Sequence, residues 1–151
     1  MRIQPIIVLW LMTCTSSAVF SQPVRVFVTS SAVKGGVVDK AVEERQAAAK
    51  DLVDILAGKS EVVVVRTESE AQVVVEVTKR AFEATGERYR DPTKTEQVVH
   101  DWRVYATLKI GDYTTRIMGE SKTVTKKDAA KAVARQVIDW IAKNRAQLEK
   151  K

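Results

Sequence analysis

Residues with the chemistry for acid–base or nucleophilic catalysis are scarce in this sequence. His100 is the only histidine, and Cys14 is the only cysteine. A Ser-His-Asp or Cys-His arrangement needs a histidine that contacts both a nucleophile and an orienting group. Asp101 follows His100 directly, so on a strand its side chain points to the opposite face. The sequence therefore predicts a histidine at the core margin and a protein that is not an enzyme.

Metal and cofactor sites are not predicted either. One histidine and one cysteine are too few for a zinc site, and no segment has the alternating oxygen ligands and central glycine of a calcium loop. The segment Val33-Lys34-Gly35-Gly36 follows a predicted strand and precedes a predicted helix, where a phosphate-binding loop would lie. It lacks the complete glycine-rich motif, so we expect a flexible connector and no cofactor.

The first 21 residues have the organisation of a secretory signal peptide. Arg2 is positive, residues 6–12 are continuously apolar, and Val19 and Ser21 precede a cleavage point before Gln22. A membrane span needs about 20 apolar residues, and this run is shorter. The sequence predicts an exported protein, in the periplasm or the medium, with a signal peptide at 1–21 and no membrane span.

Cys14 leaves a second interpretation of this segment open. The sequence Leu11-Met12-Thr13-Cys14 is similar to a lipoprotein signal, in which the cysteine carries a lipid anchor. Thr13 stands where such signals normally have Gly, Ala or Ser. We therefore expect cleavage before Gln22, with lipidation of Cys14 as the alternative.

The remaining residues, 22–151, have the composition of one globular domain. The chain is 45% hydrophobic and 29% charged, and its net charge of +6 falls to +5 once Arg2 is removed. Basic residues alternate with acidic ones, as in Lys126-Lys127-Asp128. A nucleic-acid footprint would be a stripe of one sign, so we expect no nucleic-acid partner.

Hydrophobic periodicity predicts two helices and five strands. Asp39 is a plausible N-cap for the first helix, and Thr125 with Asp128 resembles a capping box for the second. The polar segment 83–96 is predicted as a loop. The predicted helices span about 39–57 and 125–148, and the strands about 24–28, 61–66, 73–78, 96–110 and 113–120.

The Gly111-Asp112 pair is a two-residue hairpin signal that sets the register of the last two strands. Ile110 should pair with Tyr113, and Arg103 with Glu120. The even positions of the first strand of this hairpin are apolar and its odd positions are polar, which indicates a sheet covered on one side only.

The element order β-α-β-β-β-β-α predicts an α+β fold. The first βαβ unit should be a right-handed crossover with parallel strands. Each helix has one apolar stripe, and Trp140 lies in the second stripe as a core anchor. The economical arrangement is a mixed sheet of about five strands with two helices packed on one face.

This pattern resembles the N-terminal domain of TolB and the related CsgG-type envelope proteins of bacteria. The segment 71–77 (Ala-Gln-Val-Val-Val-Glu-Val) corresponds to a characteristic strand start in those domains, with Gln72 where Asp is usual. The chain is also similar to small uncharacterised secreted proteins of environmental bacteria. The resemblance implies the strand order 2-1-3-4-5 and an exported or envelope binding role.

The polar sheet face is the candidate binding surface. It should be accompanied by Glu76 and Arg80 on a neighbouring strand. Arg, Tyr and Met are enriched in interfaces. The predicted partner-binding residues are Arg103, Tyr105, Lys109, Arg116 and Met118.

Together, these features of the sequence favour a monomeric, non-catalytic module that binds another envelope or extracellular protein. Two alternatives stay open. One is a small hydrolase or ligand carrier with a site near the loop Ser30–Gly36. The other is self-association through an exposed edge strand.

Overall fold

A computed structural model describes residues 22–32, 39–90, 92–93, 96–121 and 125–148 of the protein. The predicted signal peptide with Cys14, and most of the loop at 30–36, lie outside these ranges. Among the described helices, none combines the length and the apolar character that a bilayer crossing requires.

The predicted helices and strands are all present. Asp39 caps the first helix, since its carboxylate accepts a hydrogen bond from the Val42 amide at 2.9 Å. The 3₁₀ turn Glu68–Glu70 separates the second and third strands. In chain order the elements are β1 (Val24–Ser30), α1 (Lys40–Ala57), β2 (Val62–Val64), β3 (Val73–Arg90), β4 (Glu96–Ile110), β5 (Tyr113–Ser121) and α2 (Lys126–Leu148).

The five strands form one mixed sheet in the order β2-β1-β3-β4-β5. Strand β1 is parallel to both β2 and β3, while β3, β4 and β5 are antiparallel to their neighbours. The register predicted from the Gly111-Asp112 turn is confirmed, because Ile110 pairs with Tyr113 and Arg103 pairs with Glu120. The predicted α+β architecture and strand order are therefore correct.

The core lies between the two helices and one face of the sheet, as predicted. Its sheet side consists of alternate residues of the central strands, such as Val26, Val75 and Leu108, which are fully buried. Leu52 of α1 and Val137 of α2 cover them from above. We call this side of the sheet the helix face and the opposite side the open face.

Helix α2 packs unusually close to β5, at Gly119. A Cβ built on Gly119 would lie 2.2 Å from the Ala129 carbonyl oxygen and 2.7 Å from the Val133 nitrogen. Both contacts are to helix backbone, so the helix can approach to this distance only above a glycine.

A β-bulge at Thr78 overturns one prediction about the open face. The register of β3 against β4 shifts between Val77 and Lys79, and a one-residue shift reverses which face the following side chains occupy. Arg80 consequently points to the helix face, where its side chain is 5% exposed. The prediction that Arg80 accompanies Glu76 on the open face is wrong.

Buried Arg80 is neutralised by carboxylates of α1. Its Nε lies 2.7 Å from Glu44 Oε2, and its Nη1 lies 2.9 Å from Asp51 Oδ2. Lys126 at the start of α2 also pairs with Glu44, at 2.6 Å. One carboxylate therefore links both helices to β3.

The predicted loop at 83–96 is largely strand instead. Strand β3 continues to Arg90 and β4 begins at Glu96, so the two form a long antiparallel arm. A second register irregularity between Ala84 and Arg88 accommodates Gly86, whose φ is +83°. Neither described helix covers the outer arm, so polar side chains occupy both of its faces, as they do in a loop.

Candidate binding surface

All five predicted partner-binding residues lie on the open face. Arg103, Tyr105 and Lys109 alternate along β4 with core residues, and their cross-strand partners share their orientation. Arg116 pairs with Thr107, and Met118 pairs with Tyr105. The structure therefore brings Arg116 and Met118 of β5 beside the three residues of β4.

Glu83 is the centre of a polar cluster on this face. The Tyr105 hydroxyl donates a hydrogen bond to Glu83 Oε2 at 2.6 Å, and Lys79 forms an ion pair with the same carboxylate. Arg103 Nη1 lies 4.0 Å from it. The hydrogen bonds from Lys79 and then Tyr105 hold the pKa of Glu83 below its usual value, and bonding to Glu83 raises the pKa of Tyr105. The Tyr105 side chain is thus oriented by a carboxylate that stays ionised.

Two of the predicted cations are neutralised within the sheet. Arg103 donates to Glu120 Oε1 from Nε at 3.0 Å and from Nη2 at 2.7 Å. Lys109 forms an ion pair with Glu76 of β3. The hydrogen bonds to these carboxylates raise the pKa of Arg103 and of Lys109. Both residues are therefore already partnered and are poorer candidates for contacts with another molecule than the sequence indicates.

Arg116 and Met118 remain available. Arg116 is exposed, and across the described ranges no carboxylate forms an ion pair with it. Met118 is 39% exposed. A shallow depression of about 350 Å³ between β3, β4 and β5 is lined by Lys79, Tyr105 and Arg116, among others. Arg116 and the Tyr105 ring thus line one depression, and Met118 lies opposite Tyr105 on the neighbouring strand.

The other half of the open face carries an apolar strip that sequence reasoning missed. Phe27 of β1 pairs with Val74 of β3, and both side chains are half-buried although neither described helix covers this side. Val63 of β2 is 46% exposed on the same face. The run Val26-Phe27-Val28 in β1 indicated this strip, because consecutive apolar residues on a strand occupy both of its faces.

His100 is exposed, and not at the core margin as predicted. It lies on the helix-face side of β4, but beyond the ends of both helices. Its ring stacks on Phe82 with the centroids 5.5 Å apart, and its Nδ1 lies 3.0 Å from the Val98 carbonyl oxygen. The described ranges contain no group of three or more His, Cys, Asp or Glu residues placed to hold a metal ion.

Both tryptophans of the domain pack against the core. Trp102 is partly buried, with the Lys126 ammonium 4.6 Å from its ring centroid. Trp140 is partly buried on α2 and stacks on Tyr113 at 6.2 Å. The position of Trp140 agrees with the predicted core anchor, and one part of its ring also lines a cleft considered below.

Comparisons with known proteins identify no family for this chain. No protein-family model and no curated protein sequence matches it. Among solved structures, the chain is similar to the NMR solution structure of an uncharacterized lipoprotein B from Nitrosomonas europaea. That similarity covers 85% of this chain and 79% of the other, with 13% identity and a TM-score of 0.37.

Proposed function

We propose that this protein is an exported, non-catalytic module that binds another protein through the open face of its sheet. The observation that carries the proposal is Arg116, an exposed cation beside Met118 on a face where Arg103, Lys79 and Lys109 each pair with a glutamate. Both described helices cover the opposite side.

The character of the open face suits a protein partner. Tyr105 is held in one orientation by Glu83, so little side-chain entropy is lost when it is covered. Tyr and Arg are the side chains that most often dominate binding free energies. The exposed Val63 and the half-buried Phe27 extend the surface with apolar area. We infer a partner that places a carboxylate opposite Arg116 and apolar side chains along the strip.

The predicted signal peptide and the family resemblance suggest where this partner is located. The signal pattern at 1–21 supports export, and the resemblance to TolB N-terminal and CsgG-type domains favours a partner in the bacterial envelope. The exposed His100, stacked on Phe82, has no carboxylate hydrogen-bonded to it among the described residues. This supports binding in preference to hydrolysis.

Charge reversal at Arg116 tests the proposal. The tagged mature chain, residues 22–151, is used to capture its partner from the exported fraction of the producing cells. We expect Arg116→Glu to raise the Kd for that partner at least about tenfold, which corresponds to the loss of roughly 1.4 kcal/mol of binding free energy, and to lower its recovery. The melting temperature should not change, because Arg116 is exposed and forms no internal ion pair in the described ranges.

Arg135→Glu is the matched control. It makes the same change of charge at an exposed position of α2, on the other side of the molecule. Recovery of the partner should be unaffected by this variant. Equal recovery with Arg116→Glu and with the wild-type chain would show that the open face is not the binding surface.

A further inference from the structure

A second concave surface lies at the end of the sheet opposite the β3–β4 arm. It is a cleft of about 780 Å³ between the Gly111 turn, the start of β3 and the last turns of α2. Its apolar wall is formed by Ile110, Tyr113 and Trp140, and Arg25, Asn144 and Gln147 supply polar groups. A volume of this size is typical of sites for small organic molecules.

The floor of the cleft is held in place by Gln72. Its Oε1 accepts a hydrogen bond from the Arg25 amide at 3.0 Å, and its Nε2 donates to the Leu148 carbonyl oxygen at 3.2 Å. The Gln72 amide also donates to the Arg25 carbonyl oxygen at 2.9 Å. The Gln72 side chain thereby bridges the backbone of β1 and the end of α2, which holds these two walls of the cleft in position.

Several polar groups of the cleft have no partner in the described part of the chain. Asn144 Nδ2 donates to the Trp140 carbonyl oxygen at 2.8 Å, while its Oδ1 accepts no hydrogen bond there. The Tyr113 hydroxyl, the Gln147 amide group and the Arg25 guanidinium likewise form no hydrogen bond or ion pair with described residues. These groups surround an apolar wall, which is the usual composition of a ligand site.

The charge of the lining selects the ligand class. Of the described residues that line the cleft, Arg25 is the one ionisable cation and none is a carboxylate. The chain as a whole is also positive, which attracts anions. In the described lining a cationic ligand would find no counter-charge, whereas an anion would find Arg25.

We propose that this cleft binds a small organic anion with a flat ring, of the aromatic carboxylate class. The ring lies against the wall of Trp140, Tyr113 and Ile110, where aromatic side chains supply apolar area. The carboxylate pairs with the Arg25 guanidinium, which is suited to planar oxyanions. Asn144 and Gln147 supply hydrogen bonds to polar substituents. The lining of this site includes neither Arg116 nor Met118; Arg25, which pairs with Val63, is the residue that it shares with the open face.

The two tryptophans of the mature chain provide the test and its internal control. The indole N–H signals of Trp102 and Trp140 are assigned by NMR with the Trp102→Phe variant, and benzoate is titrated into the mature protein. We expect the Trp140 signal to shift with saturation and a Kd below about 10 mM. Trp102, which lies eight positions along β4 from Ile110 at the cleft, should not shift. No saturable shift of Trp140, or an equal shift of both signals, would overturn the proposal.

Protein variants and ligand analogues distinguish the contribution of the ligand's ring to affinity from that of its carboxylate. Arg25→Gln should weaken benzoate binding about tenfold or more, whereas Arg66→Gln, an exposed arginine outside the cleft, should not. Acetate, which has no ring, and benzyl alcohol, which has no charge, should each bind at least about tenfold more weakly than benzoate. Unchanged affinity of Arg25→Gln, or equal affinity for benzyl alcohol, contradicts the assignment of an anion site.

Discussion

Arg80 Nε lies 2.7 Å from Glu44 Oε2 beneath helix α1, on the side of the sheet opposite to the one that its place in the strand pattern indicates. The bulge at Thr78 produces this reversal. The ion pair joins β3 to α1, and Lys126 extends it to α2. The same bulge removes Arg80 from the open face and leaves Lys79 there.

Removal of Arg80 should destabilise the domain. Because its side chain is 5% exposed, Arg80→Ala leaves Glu44 and Asp51 without the cation that they share. We expect the free energy of unfolding in urea to fall by about 2–3 kcal/mol, somewhat less than the loss of a partner from a fully buried pair. Arg88→Ala, which breaks an ion pair with side chains 67% and 54% exposed, should cost less than about 1 kcal/mol. Equal losses would show that burial at Arg80 has no energetic consequence.

The acid sensitivity of the fold should depend on Glu44. Partial burial alone would raise the pKa of this carboxyl, but hydrogen bonds from Lys126 and Arg80 outweigh it and the pKa is lowered. A lowered pKa in the folded state stabilises the protein above the unfolded-state pKa, and that contribution is lost as the pH falls through the folded-state pKa. Glu44→Gln should therefore flatten the loss of stability below about pH 4.5.

Asp54→Asn serves as the control for this pH dependence, since Asp54 is exposed on the same helix. Urea unfolding at a series of pH values from neutral to acid measures both variants. An acid limb that is as steep in Glu44→Gln as in the wild type would contradict the assigned role.

Gly119 should tolerate no side chain. Alanine at this position places Cβ against the backbone of α2, so the helix must move away from β5. We expect a loss of about 1–3 kcal/mol, as for other overpacked cores, seen as a lower melting temperature. Gly58→Ala, whose Cβ would meet its nearest neighbour, the Ile55 carbonyl oxygen, at an ordinary 3.6 Å, should have little effect. A wild-type melting temperature for Gly119→Ala would mean that α2 is farther from β5 than described.

The free edge of β5 is blocked by Gln136. Counting from the turn, Met118 opposes Tyr105 at a position that forms no ladder bond, so its carbonyl points outward. Gln136 Nε2 donates to that carbonyl oxygen at 2.6 Å. Since unpaired edges promote association, Gln136→Ala should raise the mass measured by light scattering at high concentration, while Gln46→Ala on α1 should leave the wild-type mass unchanged. If Gln136→Ala has the wild-type mass, the Gln136 side chain does not protect the edge.

Sequence reasoning located the β4–β5 hairpin well because three signals agreed there. The Gly111-Asp112 turn, the alternation in β4 and the Arg103–Glu120 pair all specify one register. The same agreement placed the five candidate residues on one face. The contacts of Tyr105 and Arg103 with Glu83 of β3 were not predictable, because Glu83 was assigned to a loop.

The errors concern places where local pattern and tertiary environment disagree. Neither α1 nor α2 covers the outer arm of β3 and β4, so its residues lack the alternation that identifies a strand. The bulge at Thr78 contains no glycine that would indicate it in the sequence. His100 belongs to the apolar even-numbered positions of β4, but this series continues past the ends of the helices. The outer arm and His100 depend on where the neighbouring helices end, and the bulge depends on the pairing of β3 with β4.

Site-specific photo-crosslinking in the producing cells shows whether the open face contacts a partner. A benzophenone side chain at position 118 lies on the open face, and one at position 143 lies on exposed α2. We predict that position 118 crosslinks to one protein, that Arg116→Glu abolishes this crosslink, and that position 143 does not crosslink to that protein. Crosslinking from position 143 but not from position 118 would place the partner on the helix side and show that the open face is not the binding surface.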